Sequence, residues 1–134
     1  MKYLLAQNVP TYSYILTFEG QHSFTELFGI EKQGVCHADD LLYLFAPVFG
    51  NVIDFTLTNQ SDVDLREEMT KAWTNFAKFG NPTPSGSGNN WNNWTPVDQS
   101  NPAKFWDISG KISSMSDDTR FAERMAFWDS LNLS

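Results

Sequence analysis

Apolar and polar side chains alternate near the start of the chain. Over residues 12–19 (YSYILTFE), the side chains that would share one face are Tyr12, Tyr14, Leu16 and Phe18. A period of two with many aromatic and β-branched residues predicts a strand, which Gly20 ends. A polar loop and a short apolar piece, residues 24–30, follow this strand.

The clearest helical pattern covers residues 62–79. Its apolar stripe consists of Leu65, Met69, Ala72, Trp73 and Phe76. This spacing predicts a long amphipathic helix. Ser61 with Asp64 resembles a capping box, and Gly80 before Asn81-Pro82 is a typical stop signal. Glu67 and Lys71 are placed for an ion pair.

Other patterns complete an α/β order of elements. Residues 34–45 (GVCHADDLLYLF) predict a brief strand or turn leading into a helical turn, whose N-terminus suits Asp39 and Asp40 and which Pro47 stops. Residues 81–93 predict a surface loop because Pro, Gly, Ser and Asn dominate them. Residues 105–108 and 111–115, around Ser109-Gly110, predict a two-stranded ribbon.

A second amphipathic helix is predicted at the end of the chain, over residues 119–131. Asp117 or Asp118 is available as its cap. The apolar stripe comprises Phe121, Met125, Trp128 and Leu131. We expect the stripes through Trp73 and Trp128 to be core faces, and Trp128 to be buried within the chain.

Composition narrows the class of protein. The chain has 134 residues, of which 41% are hydrophobic, so it suits one globular domain. Its formal net charge of -7 disfavours nucleic acid and anionic membranes as partners, since both are bound through Lys and Arg. No apolar run reaches the length of a membrane span, and residues 1–6 are too short for the apolar region of a signal peptide.

Cysteine and asparagine usage say little about the compartment. Cys36 is the one cysteine, which excludes a disulfide within the chain. Sequons begin at Asn59, Asn93 and Asn132, and 11 Asn with 22 Ser and Thr predict about two by chance. Localisation stays unknown, with secretion slightly favoured and glycosylation open.

His37 is the titratable residue best suited to chemistry, because an imidazole can accept and return a proton near neutral pH. It follows a strand at the point where catalytic groups of α/β sheets gather. On spacing alone, a loop histidine with no chemical role is the more common case. A thiol-imidazole pair of Cys36 and His37 is disfavoured because neighbours in an extended segment point to opposite faces.

Three other sites have weaker support. Cys36, His37, Asp39, Asp40 and His22 offer metal-ligand types without a recognised spacing. Asp39 and Asp40 are adjacent, which suits helix capping better than paired acid/base chemistry. His22 is expected at the surface. Trp91 and Trp94 suggest a carbohydrate-binding module with a sugar-stacking platform, although loop aromatics more often anchor a loop.

Several segments together resemble the type-B carboxylesterase and cholinesterase family of α/β-hydrolases. Residues 34–45 resemble its histidine segment and residues 12–18 its preceding strand. Residues 73–82 (WTNFAKFGNP) resemble its helix-to-loop signature, Trp94-Thr95-Pro96 its W-x-P, and residues 123–128 (ERMAFW) its closing helix. Five matches in the expected order, over nearly the whole chain, make the resemblance specific.

The resemblance implies a fold and a function. Residues 1–134 would be the C-terminal part of a single α/β-hydrolase domain, with end strands of the sheet, flanking helices and a small terminal ribbon. His37 would be the general base of a serine carboxylic-ester hydrolase that acts on a small-molecule ester. Serine and acid would come from the remainder of the same chain, so these residues alone should be inactive. No metal or cofactor is implied.

The resemblance also leaves alternatives open. A non-catalytic, cholinesterase-like adhesion protein would keep the fold without the serine. The terminal helix could serve in a homodimer, as in some relatives. Since the other strands of the sheet would be missing, the 134 residues alone should be poorly soluble or incompletely folded.

Overall fold

A three-stranded sheet forms one side of the molecule in the computed structural model, which describes residues 4, 6–45, 54–98, 100, 103–117 and 119–131. Its strands are β1 (Tyr14–Leu16), β2 (Lys104–Ile108) and β3 (Ser114–Asp117), in the order β1-β2-β3. β1 runs parallel to β2, with Tyr14 opposite Trp106, and β3 is antiparallel to β2. This is the mixed sheet edge expected of an α/β fold.

Helices occupy the connections between the strands. A 3₁₀ helix (Phe24–Phe28) and the short helix α1 (Leu41–Leu44) follow β1. The long helix α2 (Gln60–Phe79) precedes β2, and α3 (Thr119–Ser130) follows β3. No helix in the described part of the chain has the length and apolar character needed to cross a bilayer. Pro47, the predicted stop after α1, lies outside the described residues.

The core lies between α2 and the sheet. Leu65, Met69 and Ala72 of α2 are completely buried, which confirms most of the predicted stripe, whereas Phe76 is 48% exposed. The indole rings of the core belong to Trp91, Trp94 and Trp106. From β1 and its flanks, Tyr12, Leu16 and Phe18 pack against this core. The predicted one-sided face is therefore confirmed for three of its four side chains, whereas Tyr14 is 37% exposed.

The strand itself is shorter than predicted. Regular pairing ends at Leu16 because the N–H groups of Thr17 and Phe18 both donate to the carbonyl of Ile108, at 3.0 Å each. The ribbon is confirmed, but β3 begins at Ser114 because the preceding residues form a longer turn. In that turn the Ser113 hydroxyl donates to the Gly110 carbonyl at 2.8 Å.

Two local predictions for α2 are wrong. The capping residue is Asn59, and Ser61 bonds to Asp62 at 3.4 Å rather than closing a box with Asp64. Lys71 pairs with Glu68 at 3.5 Å instead of Glu67. Gly80, with a φ of 66°, ends the helix as predicted.

The loop after α2 is more buried than its composition indicates. Asn89 is 7% exposed and Trp91 is 1% exposed, so the prediction of a surface loop over residues 81–93 is partly wrong. Glu68, itself 2% exposed, is the physical reason. Its carboxylate accepts bonds from the backbone and side-chain N–H groups of Asn90, at 2.7 and 2.6 Å. These charge-assisted bonds hold the polar loop against the core.

The terminal helix α3 has the predicted extent but not the predicted burial. Met125, Trp128 and Leu131 are 54%, 58% and 43% exposed, so Trp128 is not buried within the described chain. Every described side chain from Glu123 to Leu131 is exposed, so this part of the helix has no buried face. Asp118 and the Phe121 side chain lie outside the described residues.

Candidate active site

His37 lies in a tight turn between the 3₁₀ helix and α1. The turn runs from Cys36 to Asp39, whose N–H donates to the Cys36 carbonyl at 3.3 Å. Ala38 has a φ of 75°, in the left-handed region that type II turns require at their third residue. His37 is the second residue of the turn, and its side chain is exposed. The turn therefore presents the imidazole to the exterior.

A buried carboxylate holds this turn. Asp39 is 4% exposed. Its Oδ1 accepts bonds from the Phe24 N–H (2.7 Å), the Ser23 hydroxyl (3.1 Å) and the Cys36 thiol (3.2 Å). Its Oδ2 accepts a bond from the Cys36 N–H (2.9 Å). Asp39 thus joins both ends of the His37 turn to the start of the 3₁₀ helix.

The second carboxylate binds elsewhere. Asp40 stands at the N-terminal cap position of α1, but its side chain makes no capping bond. Instead its Oδ2 accepts a 2.7 Å bond from the Tyr14 hydroxyl of β1. Burial, and then the bond and charge of Asp40, raise the pKa of Tyr14. The prediction that both aspartates cap the helix is wrong for their side chains, and the two carboxylates have separate partners rather than acting as an acid/base pair.

The exit of β1 is tightly packed. Tyr43 of α1 donates a 3.1 Å bond to Asp62 of α2, and the Gln21 N–H donates to the same oxygen at 2.7 Å. A β-carbon on Gly20 would overlap both the Tyr43 hydroxyl and Asp62. Glycine at position 20, four residues after β1, therefore permits the close approach of this segment to α1 and α2.

The other chemical candidates do not assemble. The Cys36 sulfur lies 3.2 Å from Asp39 Oδ1 and 3.3 Å from the His37 carbonyl oxygen, so the acceptors within reach of its single proton do not include the imidazole. Among the described residues, no group of three His, Cys, Asp or Glu side chains is placed to hold a metal ion. His22 bonds to Glu26 at 3.2 Å, packs edge-on against Phe55 and is only 17% exposed, so its prediction as a surface residue is wrong.

The tryptophans of the candidate sugar platform are core residues. Trp91 and Trp94 are 1% and 5% exposed. Trp94 stacks on Trp106, with ring centroids 5.6 Å apart. Because neither ring offers an open face, the structure does not favour a carbohydrate-binding module.

Sequence reasoning missed how the turn is anchored. Ser23 and Glu26 form a complete capping box on the 3₁₀ helix, and Ser23 is completely buried. The S-x-x-E spacing is a recognisable signal for this box. The bond from Ser23 to Asp39, 16 residues away, has no such signal.

Comparison with known proteins identifies the family. A sequence model described as the carboxylesterase family matches residues 1–128. The chain belongs to the carboxylesterase family. It is 31% identical over 137 residues to a juvenile hormone esterase of Tribolium castaneum, covering 89% of this chain and 22% of that protein. A bile salt-activated lipase of Rattus norvegicus is 30% identical over 124 residues, covering 92% and 19%.

Solved structures of carboxylesterases show the same fold. The crystal structure of a juvenile hormone esterase from Manduca sexta, with OTFP covalently attached, has a TM-score of 0.69 at 26% identity. The Geobacillus stearothermophilus carboxylesterase EST55 has a TM-score of 0.60 at 21% identity. Each match covers 90% of this chain and 22% of the other. The α/β-hydrolase fold is thus confirmed, and the chain spans about a fifth of the length of these relatives.

Proposed function

We propose that this chain supplies the catalytic histidine of a serine carboxylic-ester hydrolase. The observation that carries the proposal is the exposed His37 side chain, held in an anchored turn between the 3₁₀ helix and α1, in a chain of the carboxylesterase family. In α/β folds, catalytic groups gather on the connections that follow parallel strands, and this turn lies in the connection that follows β1. Residues 1–134 then form the C-terminal part of one hydrolase domain.

In the proposed mechanism, His37 transfers one proton in each of two half-reactions. Its imidazole takes the proton of a serine hydroxyl as the serine attacks the ester carbonyl, and returns it to the departing alcohol. Water then attacks the acyl group on the serine. His37 takes a proton from this water and returns it to the serine oxygen, which releases the carboxylic-acid product. The serine and the acid that orients the imidazole come from polypeptide joined to this chain. The 134 residues alone are therefore inactive.

The substrate is proposed to be a small-molecule ester. Juvenile hormone esterase and bile salt-activated lipase, which the chain resembles, support this class. We propose that the segment between β1 and His37 forms an apolar rim of the site. Its Phe28 and Ile30 side chains are 76% and 53% exposed. No metal or organic cofactor is part of the proposal, and neither is nucleic acid.

The proposal is tested by substituting His37 in the complete gene product. We expect His37→Ala to reduce nitrophenyl acetate hydrolysis by several powers of ten, because removing a triad histidine does so in other serine hydrolases. His22→Ala is the control, since it removes the other histidine, which bonds to Glu26. Equal activities of the two variants, both shown to be folded by circular dichroism, would exclude the assigned role.

Non-catalytic adhesion is the rival function. The residue at the nucleophile position in the complete gene product separates the two: a serine within G-x-S-x-G favours the esterase, and any other residue favours adhesion. The carbohydrate-binding alternative predicts retention on a polysaccharide column. Because Trp91 and Trp94 are buried, we expect the protein not to be retained.

We propose an extracellular location for the protein. Asn59 and Asn93 begin two sequons, and both side chains are exposed, as glycosylation requires. Asn132, the third, lies outside the described residues. A homodimer through α3 also remains a proposal, supported by its exposed apolar side chains at Phe127 and Trp128.

A further inference from the structure

We infer that Asp39 is a positioning residue, whose carboxylate sets the placement of the His37 imidazole for proton transfer. The inference rests on the proposed function of His37. It starts from the four hydrogen bonds that the buried Asp39 carboxylate accepts, two of them from Cys36, the residue directly before His37.

The bonding pattern suits a carboxylate and not an amide. Every group that faces Asp39 is a donor: the N–H groups of Phe24 and Cys36, the Ser23 hydroxyl and the Cys36 thiol. An ionised carboxylate has only acceptors, so it satisfies all four. Asparagine would place an NH₂ group against at least one donor in either orientation. The turn would then lose a bond and face a repulsive contact.

The arrangement closes the turn from both directions. The Asp39 N–H donates to the Cys36 carbonyl, while the Cys36 N–H donates to the Asp39 carboxylate. His37 and Ala38 are the two residues between these bonds. The bonds to Ser23 and Phe24 fix the closed turn to the 3₁₀ helix. Movement of Asp39 would therefore displace His37, and we expect substrate contacts elsewhere to be unaffected.

The test uses Asp39→Asn in the complete gene product, with kcat and KM measured on nitrophenyl acetate. We expect kcat to fall about 10- to 100-fold, as for a misplacement of about 1 Å, while KM stays within about twofold. Asp62→Asn is the matched control. Asp62 is also buried, at 1% exposed, but bonds to Gln21 and Tyr43 and not to the turn. It should lower the melting temperature while kcat stays near wild type.

A double variant separates this inference from the proposed function. In the His37→Ala background, Asp39→Asn should cause no further loss of kcat, because the two residues act as one unit. If His37→Ala alone retains activity, the proposed function is wrong. If His37→Ala is inactive but Asp39→Asn matches Asp62→Asn in kcat, only the positioning role is wrong.

A milder variant keeps the test decisive if Asp39→Asn does not fold. Ser23→Ala removes one of the four donors and leaves the Asp39 carboxylate in place. We expect a smaller fall in kcat, about threefold to tenfold, with KM unchanged. Wild-type kcat in this variant would contradict the inference.

Discussion

At the scale of single residues, Ala38 has a backbone conformation that is unfavourable for a residue with a β-carbon. Its φ of 75° brings the β-carbon too close to the following carbonyl, at a cost of roughly 1–2 kcal/mol for a residue other than glycine. The residue lies between His37 and the buried Asp39, where the hydrogen bonds hold this conformation.

Replacing Ala38 with glycine should stabilise the protein. We expect Ala38→Gly to raise the free energy of unfolding by up to about 1 kcal/mol, since the strain relieved exceeds the added entropy of the unfolded chain. The measurement is the denaturant midpoint of the complete gene product at unchanged slope. Ala72→Gly, in the buried interior of α2, is the control and should destabilise. Destabilisation by Ala38→Gly would show that the turn is not strained.

Tyr43 should make stability depend on pH in alkaline solution. Burial, and then the charge and hydrogen bond of Asp62, raise the pKa of the Tyr43 phenol above its usual value near 10. A pKa raised by folding adds stability that is present below the unfolded value and is lost as pH rises above about 10.

The matching experiment compares wild type with Tyr43→Phe. The difference in unfolding free energy between them should shrink from about pH 9 to about pH 11, because only the wild type must retain its phenol proton. Chemical denaturation of the complete gene product at several pH values measures this. A difference that stays constant over the range would show that Tyr43 titrates equally in both states.

The sequence indicates His37 as the candidate residue, but it does not predict the contacts that hold the turn around it. The His37 segment is recognisable because its residues are contiguous. The contacts of Asp39 with Ser23 and of Asp40 with Tyr14 join residues 16 and 26 positions apart. Local patterns carry no information on such pairs, so capping was the natural interpretation of both aspartates.

At the scale of elements, prediction succeeded where a repeating stripe decides the structure. The stripe of Leu65, Met69 and Ala72 predicts the start of α2 to within two residues. Gly80 predicts its end. Prediction failed in the loop over residues 81–93. Its polar composition indicated the surface, but Glu68, a residue of α2, satisfies the amides of Asn90 and lets Trp91 enter the core.

At the scale of the whole molecule, the described chain leaves apolar surface uncovered. β1 pairs with β2 alone, so its other edge has no described strand beside it. Exposed aromatic side chains occur at Phe45, Phe79 and Trp128, which are 66%, 65% and 58% exposed. Surface of this kind normally lies against further polypeptide. The family resemblance implies such an uncovered edge, whereas an amphipathic stripe by itself predicts burial without specifying what covers it.

The 134 residues alone should therefore fold incompletely. We expect aggregation, or a broad thermal transition without cooperativity, because the free strand edge and the apolar side chains are exposed to water. Calorimetry and sedimentation of the isolated chain measure this. A soluble monomer with a reversible, cooperative transition would contradict the expectation.

The most direct measurement of the central claim is nitrophenyl acetate turnover by three proteins at equal concentration: the complete gene product, its His37→Ala variant and the isolated 134 residues. Shared catalysis by His37 and a serine elsewhere predicts turnover in the first alone, with the other two close to the uncatalysed rate. Turnover by the isolated chain, or undiminished turnover by the folded His37→Ala variant, would contradict it.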